Sequence, residues 1–378
     1  MGLGPHAPEE AGRGGPAGMT NTDPINWDLA AQVAGRVAGT DPLARSYHYA
    51  SLVADFEEAT ARAEELVSKE TGLVPLTGSA RARVTDRQGW VQANIASFQR
   101  LVGPLTRRMA ERMPIPAVAS VGRSVAGVQV GLLLGWMSTR VLGQYDLLLV
   151  EDEDAENQDI VYYLGPNVLS IEKRYAFPPS QFRLWLALHE VTHRAQFTGV
   201  EWMRGYFMGL VESAMGSVDP DPRRLLEGLR RAVDEARAGR NPLADGLLSL
   251  LAGDEQAAVL RQVQALMSLL EGHGDITMDR AGAGAVPEAS RFARVLRQRR
   301  QQSGGLSRLI QQVAGIEAKL RQYEEGERFI EAVEAAGGRQ MSELFWKGPE
   351  WLPTLEEIRR PQGWTERISA LSSERTLV

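Results

Sequence analysis

The feature that most constrains this chain is a His-Glu-x-x-His motif, His189 to His193, in the middle of a segment with helical periodicity. Residues four apart on a helix project from the same face, so the two imidazoles converge on one point. Glu190 lies beside the first imidazole, where it can reach water held at that point. With five histidines in 378 residues, roughly 0.005 chance occurrences of this pattern are expected. The motif predicts a Zn²⁺ site with a zinc-activated water and Glu190 as general base.

The ordinary alternative is an amphipathic helix whose two histidines are core or surface residues without a metal. The residues before and within the motif are largely apolar and predict that this part of the helix is buried: Leu184, Trp185, Leu188 and Val191. Burying two imidazoles and a carboxylate without a metal would be costly. The metal site is therefore the favoured interpretation.

The chain contains no cysteine, so a transition-metal site must be built from His, Asp and Glu. The same absence excludes a disulfide scaffold, a thiol nucleophile and an iron–sulfur cluster. The metzincin extension of the motif needs a glycine and a histidine where this chain has Gln196 and Gly199, so that class is excluded. A third protein ligand must come from elsewhere in the chain.

Glu271 is the preferred third ligand. Asp275 follows it by four residues on the same helical face and can orient a ligand imidazole through its other N–H. His273 and Glu212 are the alternative third ligands, and Glu212 has the spacing that gluzincin aminopeptidases use. The ordinary interpretation of Glu271 is a solvated carboxylate at a helix end beside Gly272.

Hydrophobic periodicity predicts a mainly α protein with a small β-sheet, an α+β fold. A single domain is expected over 26–364, between a disordered leader over 1–25 and a tail over 365–378. The small sheet is predicted over about 145–175, the active-site helix over about 180–198, and a helical C-terminal half beyond it. The predicted strands cover 145–150, 159–164 and 168–175, and one predicted helix covers 222–238.

One uncharged stretch of the chain, 124–139, is about 16 residues long, short of the roughly 20 that a bilayer requires. We interpret it as a buried helix rather than a membrane span. Gly127, Gly131 and Gly135 recur every fourth residue and predict a face where another backbone approaches closely.

The net charge of −6 gives no reason to expect a nucleic-acid partner. A basic helix with Arg291, Arg294 and Arg297 lacks interleaved aromatic residues, so a solvated face is the favoured interpretation. No targeting signal is recognisable, which favours a cytoplasmic location.

Two segments together, LWLALHEVTHRAQF and, further along the chain, LLEGHGDITMDRAG with the PEASRFARVLRQRRQ helix, resemble a bacterial family of zincin-like, zinc-dependent metallopeptidases. One branch of that family is associated with the biosynthesis of a deazaflavin coenzyme. The resemblance runs over about 27–364, and the two motifs are its specific part. It implies a mostly helical zincin-like fold, with His189 and His193 at the first two metal positions and Glu190 at the catalytic position. Glu271 matches the glutamate of the second motif.

Two functions from different classes follow. The leading hypothesis is a zinc hydrolase that cleaves a peptide or a small amide, with an edge strand of the small sheet pairing with an extended substrate. The alternative is a non-catalytic zincin scaffold that acts as a binding or assembly module in a biosynthetic pathway. The presence of Glu190 argues against the alternative, because a structural metal has no need of a base beside its first ligand.

Overall fold

The computed structural model describes residues 25–41, 43, 46–112, 116–146, 159–216, 254–301 and 316–376. Three predicted segments lie wholly or partly outside these residues: most of the leader, the last four residues of the strand 145–150 and the helix 222–238. The elements of the first part are α1 (Trp27–Ala38), α2 (Tyr47–Thr71), β1 (Arg81–Thr85), α3 (Arg87–Arg112), α4 (Pro116–Ser138), β2 (Gly143–Tyr145), β3 (Ile160–Leu164), α5 (Gly165–Tyr175), α6 (Pro179–Thr198) and α7 (Met203–Gly216). They are followed by α8 (Asp254–Gly282), α9 (Ala289–Gln301), α10 (Ile316–Gly337), α11 (Arg339–Ser342), α12 (Leu355–Arg359) and α13 (Pro361–Thr376).

The described chain is mainly helical with one three-stranded sheet, which confirms the predicted fold class. The strand order is β1-β3-β2, with β1 parallel and β2 antiparallel to β3. The central strand β3 reads IVYYL and is buried along its whole length, as expected of a strand covered on both faces. In register, Arg81 pairs with Ile160 and Gly143 pairs with Tyr163.

The predicted strand over 168–175 is wrong, because these residues belong to helix α5. Val168, Ile171 and Glu172 are buried, and this spacing of three and four is helical rather than alternating. Pro166 lies in the first turn of the helix, where its missing N–H is not needed. The third strand is instead β1, whose RARVT sequence carries too little apolar character to be recognised beforehand.

The helix that carries the His-Glu-x-x-His motif, α6, runs through the centre of the first hydrophobic core. Its side chains are buried on nearly every side, against α2, β3 and α9. An aromatic group closes its N-terminal end, with Phe182 packed between Phe177 and Phe292 at ring-centroid distances of 5.0 and 5.3 Å. The motif is therefore held by a rigid element.

A buried arginine fixes the C-terminal half of α6. Arg194 has no solvent exposure, and its guanidinium donates to Asp159 at the start of β3, to Glu64 of α2 and to the carbonyl of Gly78. Because a buried charge needs such partners, this network ties the residue after His193 to the sheet and to α2.

Helix α4 meets α1 through the three glycines of the uncharged stretch. A Cβ on Gly127, Gly131 or Gly135 would lie within 2.7 Å of a backbone oxygen at the α1 contact, so the predicted close backbone approach is confirmed. Part of the opposite face is exposed, since Val121 and Val125 are 67% and 51% exposed, and the predicted burial is therefore only partly right. None of the described helices combines the length and apolar character that a membrane crossing requires.

A second hydrophobic core joins α8 to α10 and the C-terminal helices, and two glycines lie at the crossing. A Cβ on Gly326 of α10 would lie 1.9 Å from the backbone oxygen of Ser268 on α8. A Cβ on Gly272 of α8 would lie 2.3 Å from the backbone of Gly326. The two helix backbones are thus in direct contact, and α8 is held between α10 and α6.

Candidate metal centre and its surroundings

Three donor side chains meet where α6 and α8 cross. His189 and His193 project from α6, and Glu271 projects from the middle of α8 rather than from a helix end. The two Nε2 atoms lie 3.2 Å apart. Oε2 of Glu271 lies 3.8 Å from Nε2 of His189 and 3.5 Å from Nε2 of His193. Among the described residues, this is the one group of at least three His, Cys, Asp or Glu side chains close enough to hold a metal ion.

The spacing of these donors fits a zinc ion. Donors about 2.0–2.1 Å from zinc in tetrahedral geometry lie about 3.3–3.5 Å from one another. The three observed distances, 3.2, 3.5 and 3.8 Å, are close to this range. Two imidazoles and one carboxylate are also a ligand set that zinc accepts with a fourth position left open.

Asp275 faces the other nitrogen of the first histidine. Its Oδ1 lies 3.7 Å from Nδ1 of His189, one helical turn beyond Glu271 on the same face of α8. The side chains of Asp275 and His189 are 32% and 24% exposed, whereas those of His193 and Glu271 are 15% and 10% exposed. The group is therefore reached by solvent from the side of Asp275.

Glu190 is held against strand β2. Its Oε2 accepts a hydrogen bond of 3.1 Å from the backbone N–H of Tyr145. A Cβ on Gly143 would lie 2.8 Å from both Cγ and Oε1 of Glu190, so this position of the strand has room only for glycine. The sequence identified Glu190 but neither Gly143 nor Tyr145, because nothing local to β2 shows that α6 passes over it.

Burial shifts the pKa of Glu190 upward to about 7. The nearby charge of Glu271 acts in the same direction, while His193 and the Tyr145 N–H oppose it. A carboxyl group whose pKa is near neutral can accept and return a proton at neutral pH.

The pKa of His193 is raised to about 9. Burial would lower it, but the hydrogen bond and charge of Glu271, together with the charge of Glu190, outweigh burial. The two carboxylates that favour a proton on this imidazole equally favour a cation beside it.

The two alternative third ligands are not part of the group. Glu212 is exposed on α7. His273 is turned toward Trp346, with ring centroids 4.8 Å apart, and its Nδ1 contacts Nε2 of Gln196 at 2.9 Å. Desolvation, with the charges of His193 and Arg280, lowers the pKa of His273 to about 3.

The second motif, EGHGD, is explained by the contacts that one regular helix makes with α6 and α10. Glu271 and Asp275 face α6, and Gly272 contacts the α10 backbone. A Cβ on Gly274 would lie 3.3 Å from Cε1 of His193 and 3.7 Å from Cε1 of His189, so the missing side chain lets α8 lie against both imidazoles.

The contact between Gln196 and His193 was not predicted from the sequence. Gln196 breaks the metzincin pattern, yet its Oε1 lies 3.0 Å from Nδ1 of His193. Its position three residues after His193 on the same helical face was a usable signal.

Comparison with known proteins identifies the family to which this chain is similar. A family model described as zincin-like metallopeptidase matches residues 25–365. A crystal structure from Chloroflexus aurantiacus, described as that of a candidate hydrolase with a novel fold, is similar at 31% sequence identity and a TM-score of 0.68. The similarity covers 91% of this chain and 99% of that one. Among curated proteins no match was found.

Proposed function

This chain belongs to the zincin-like metallopeptidase family, and on that premise we propose that it is a zinc-dependent hydrolase that cleaves a peptide or a small amide. The observation that carries the proposal is the His189, His193 and Glu271 group with Glu190 held directly beside it. A purely structural metal site has no use for a buried carboxylate next to its first ligand.

The residues that would hold the metal come from two helices. His189 and His193 would bind through Nε2 and Glu271 through a carboxylate oxygen, while Asp275 would orient His189 from its Nδ1 side. When bound, zinc supplies Lewis acidity, which lowers the pKa of water and polarises a carbonyl group.

Glu190 moves the proton. Its Oε2 accepts a hydrogen bond from the Tyr145 N–H, which orients the carboxylate. Glu190 takes a proton from the attacking water and returns it to the leaving amine, as a general base and then a general acid. The hydrogen bond from β2 keeps the carboxylate in one orientation throughout.

The position of strand β2 favours a peptide as the substrate. It is an edge of the described sheet, and its residues Gly143 and Tyr145 already contact Glu190. An extended peptide that pairs with the outer edge of β2 beside Tyr145, whose own N–H is taken by Glu190, would bring its backbone past Glu190.

Metal content of the purified protein tests the zinc site. We expect about one zinc per chain, lost on His193→Ala because one of three ligands is removed. His48→Ala is the matched control, since His48 is exposed on α2 away from the motif and its loss should leave the zinc content unchanged. A wild-type protein without zinc and without affinity for it would refute the proposal.

Hydrolysis of a peptide library tests the catalytic role. Glu190→Gln should keep zinc and lose nearly all hydrolysis, because the amide has no basic oxygen to accept the proton. A library that stays uncleaved by the zinc-loaded wild type would overturn the peptidase function and favour the non-catalytic scaffold.

A further inference from the structure

The side-chain amide of Gln196 is buried between α6 and α8, and each of its polar atoms has a partner. Oε1 lies 3.0 Å from Nδ1 of His193. Nε2 lies 2.9 Å from the backbone oxygen of Leu270 and 2.9 Å from Nδ1 of His273. Gln196 therefore links the helix with the two histidines to the residue immediately before Glu271.

The carbonyl of Leu270 determines the orientation of the Gln196 side-chain amide. A carbonyl oxygen only accepts hydrogen bonds, so the amide group facing it must be the NH₂. Oε1 then faces His193, and because it also only accepts, Nδ1 of His193 must carry the proton. In the neutral imidazole that a metal requires, the lone pair is then on Nε2, the atom that faces His189 and Glu271.

His273 receives the second amide hydrogen. Its Nδ1 must accept from Gln196 Nε2, so the neutral ring carries its own proton on Nε2. The edge-on packing against Trp346 holds the ring in this orientation. His273 thus acts as an acceptor behind the metal group instead of as a ligand within it.

We propose that Gln196, oriented by Leu270 and His273, is the positioning residue that fixes His193 in the tautomer able to bind the metal through Nε2. The inference rests on the zinc site proposed above. Metal-bound histidines donate their other N–H to an acceptor, and losing that acceptor typically weakens metal binding by about 10–100-fold. In this protein the acceptor is itself oriented by the backbone of α8, so one side chain sets both the tautomer of His193 and its placement relative to Glu271.

Gln196→Ala removes the acceptor. The zinc affinity, measured by competition with a chromophoric chelator, should fall by about 10–100-fold. Gln181→Ala is the matched control, because Gln181 is another glutamine of α6 whose Oε1 accepts from the backbone N–H of Glu288, outside the metal group. Its zinc affinity should equal that of the wild type.

His273→Phe is a second, milder variant that keeps a ring against Trp346 and removes the acceptor nitrogen. Leu270 still holds the amide, so the zinc affinity should fall less than in Gln196→Ala but stay below the wild type. If Gln196→Ala does not fold, His273→Phe alone tests the proposal.

Nuclear magnetic resonance of zinc-loaded protein with ¹⁵N-labelled histidine separates positioning from simple packing. The Nδ1–H signal of His193 should be protected from exchange in the wild type and in Gln181→Ala, and lost in Gln196→Ala. Zinc bound through Nδ1 of His193, or unchanged zinc affinity in both Gln196→Ala and His273→Phe, overturns the positioning role alone. A wild type that binds no zinc overturns the zinc site itself and this inference with it.

Discussion

Replacing Gly326 with alanine should destabilise the protein by about 2 kcal/mol, because the new methyl group has no room at the crossing of α8 and α10. The added Cβ would lie 1.9 Å from the backbone oxygen of Ser268 and 2.8 Å from the backbone carbon of the same residue. Non-bonded heavy atoms in contact lie about 3.5 Å apart, so the two helix backbones would have to separate by more than about 1 Å.

The expected loss in the free energy of unfolding is the sum of two opposing effects. Overpacking a core costs about 1–3 kcal/mol, and a backbone obstacle on a rigid helix places this case near the upper end. Alanine gains about 1 kcal/mol over glycine in a helix interior, which offsets part of that cost. Because Ser268 is one turn before Glu271 on α8, separating the helices should also displace the Glu271 carboxylate and weaken zinc binding.

Chemical unfolding of the metal-free protein, followed by tryptophan fluorescence, measures the free energy of unfolding. Gly209→Ala on α7 is the matched control, because a Cβ there meets nothing within 4 Å. The control should gain about 1 kcal/mol, so the two variants should differ by about 3 kcal/mol. If Gly326→Ala were as stable as Gly209→Ala, the close backbone contact, and with it the account of how α8 is placed, would be wrong.

Three further substitutions test other parts of the structure. Gly143→Ala should lower kcat/KM by about 100-fold and leave the zinc content unchanged, because its Cβ displaces the Glu190 carboxylate, not a metal ligand. Arg194→Met should lower the free energy of unfolding by about 3–5 kcal/mol in urea, since it leaves the buried carboxylate of Asp159 without its cation. Glu334→Gln should lower the melting temperature at neutral pH and make it less sensitive to acid, as the hydrogen bond from Arg280 holds the pKa of Glu334 below its usual value.

The sign of the pH effect follows from that lowered pKa. A carboxyl group with a lower pKa in the folded state stabilises the protein above its unfolded pKa of about 4.3, and this stabilisation is lost as the pH falls through the folded value. The difference in melting temperature between wild type and Glu334→Gln should therefore shrink on acidification. A difference that stays constant with pH would show that the Arg280 pair contributes nothing through ionisation.

The Arg194 prediction has its own control. Arg360 pairs with Glu356 at 3.9 Å, but both side chains are more than 80% exposed, so Arg360→Met should leave the unfolding curve unchanged. Equal effects of the two substitutions would contradict the stabilising role assigned to the buried network.

Some of the site could be predicted from local spacing alone. His189 and His193 share a face because they are four residues apart on a helix, and Glu271 and Asp275 share one for the same reason. The structure places His189, His193 and Glu271 around one point, with Asp275 behind them on the Nδ1 side of His189. Their metal-binding roles remain predictions that the zinc measurements test.

For short segments, the local sequence pattern was insufficient to predict the secondary structure. The residues of α5 were predicted to alternate as a strand, whereas burial of Val168, Ile171 and Glu172 follows a helical period. Eight residues span too few turns for the apolar pattern to distinguish the period of a strand from that of a helix. The proline near the start favours a helix more than the weak alternation favours a strand. β1 was missed because its residues are only partly buried and its pairing partner, β3, is far along the chain.

By itself, the sequence determined the secondary structure of the site: a helix that directs two imidazoles and a carboxylate to adjoining positions, and a second helix with an acidic pair at the same spacing. Only the tertiary structure decided which of Glu271, His273 and Glu212 completes the group, because that choice depends on how α8 is rotated against α6. The rotation is set by contacts far apart in sequence, the Gly272 and Gly326 crossing on one face of α8 and the Gln196 amide on the other. Helix periodicity fixes the angles between side chains on one helix, whereas packing of distant segments fixes the angle between helices.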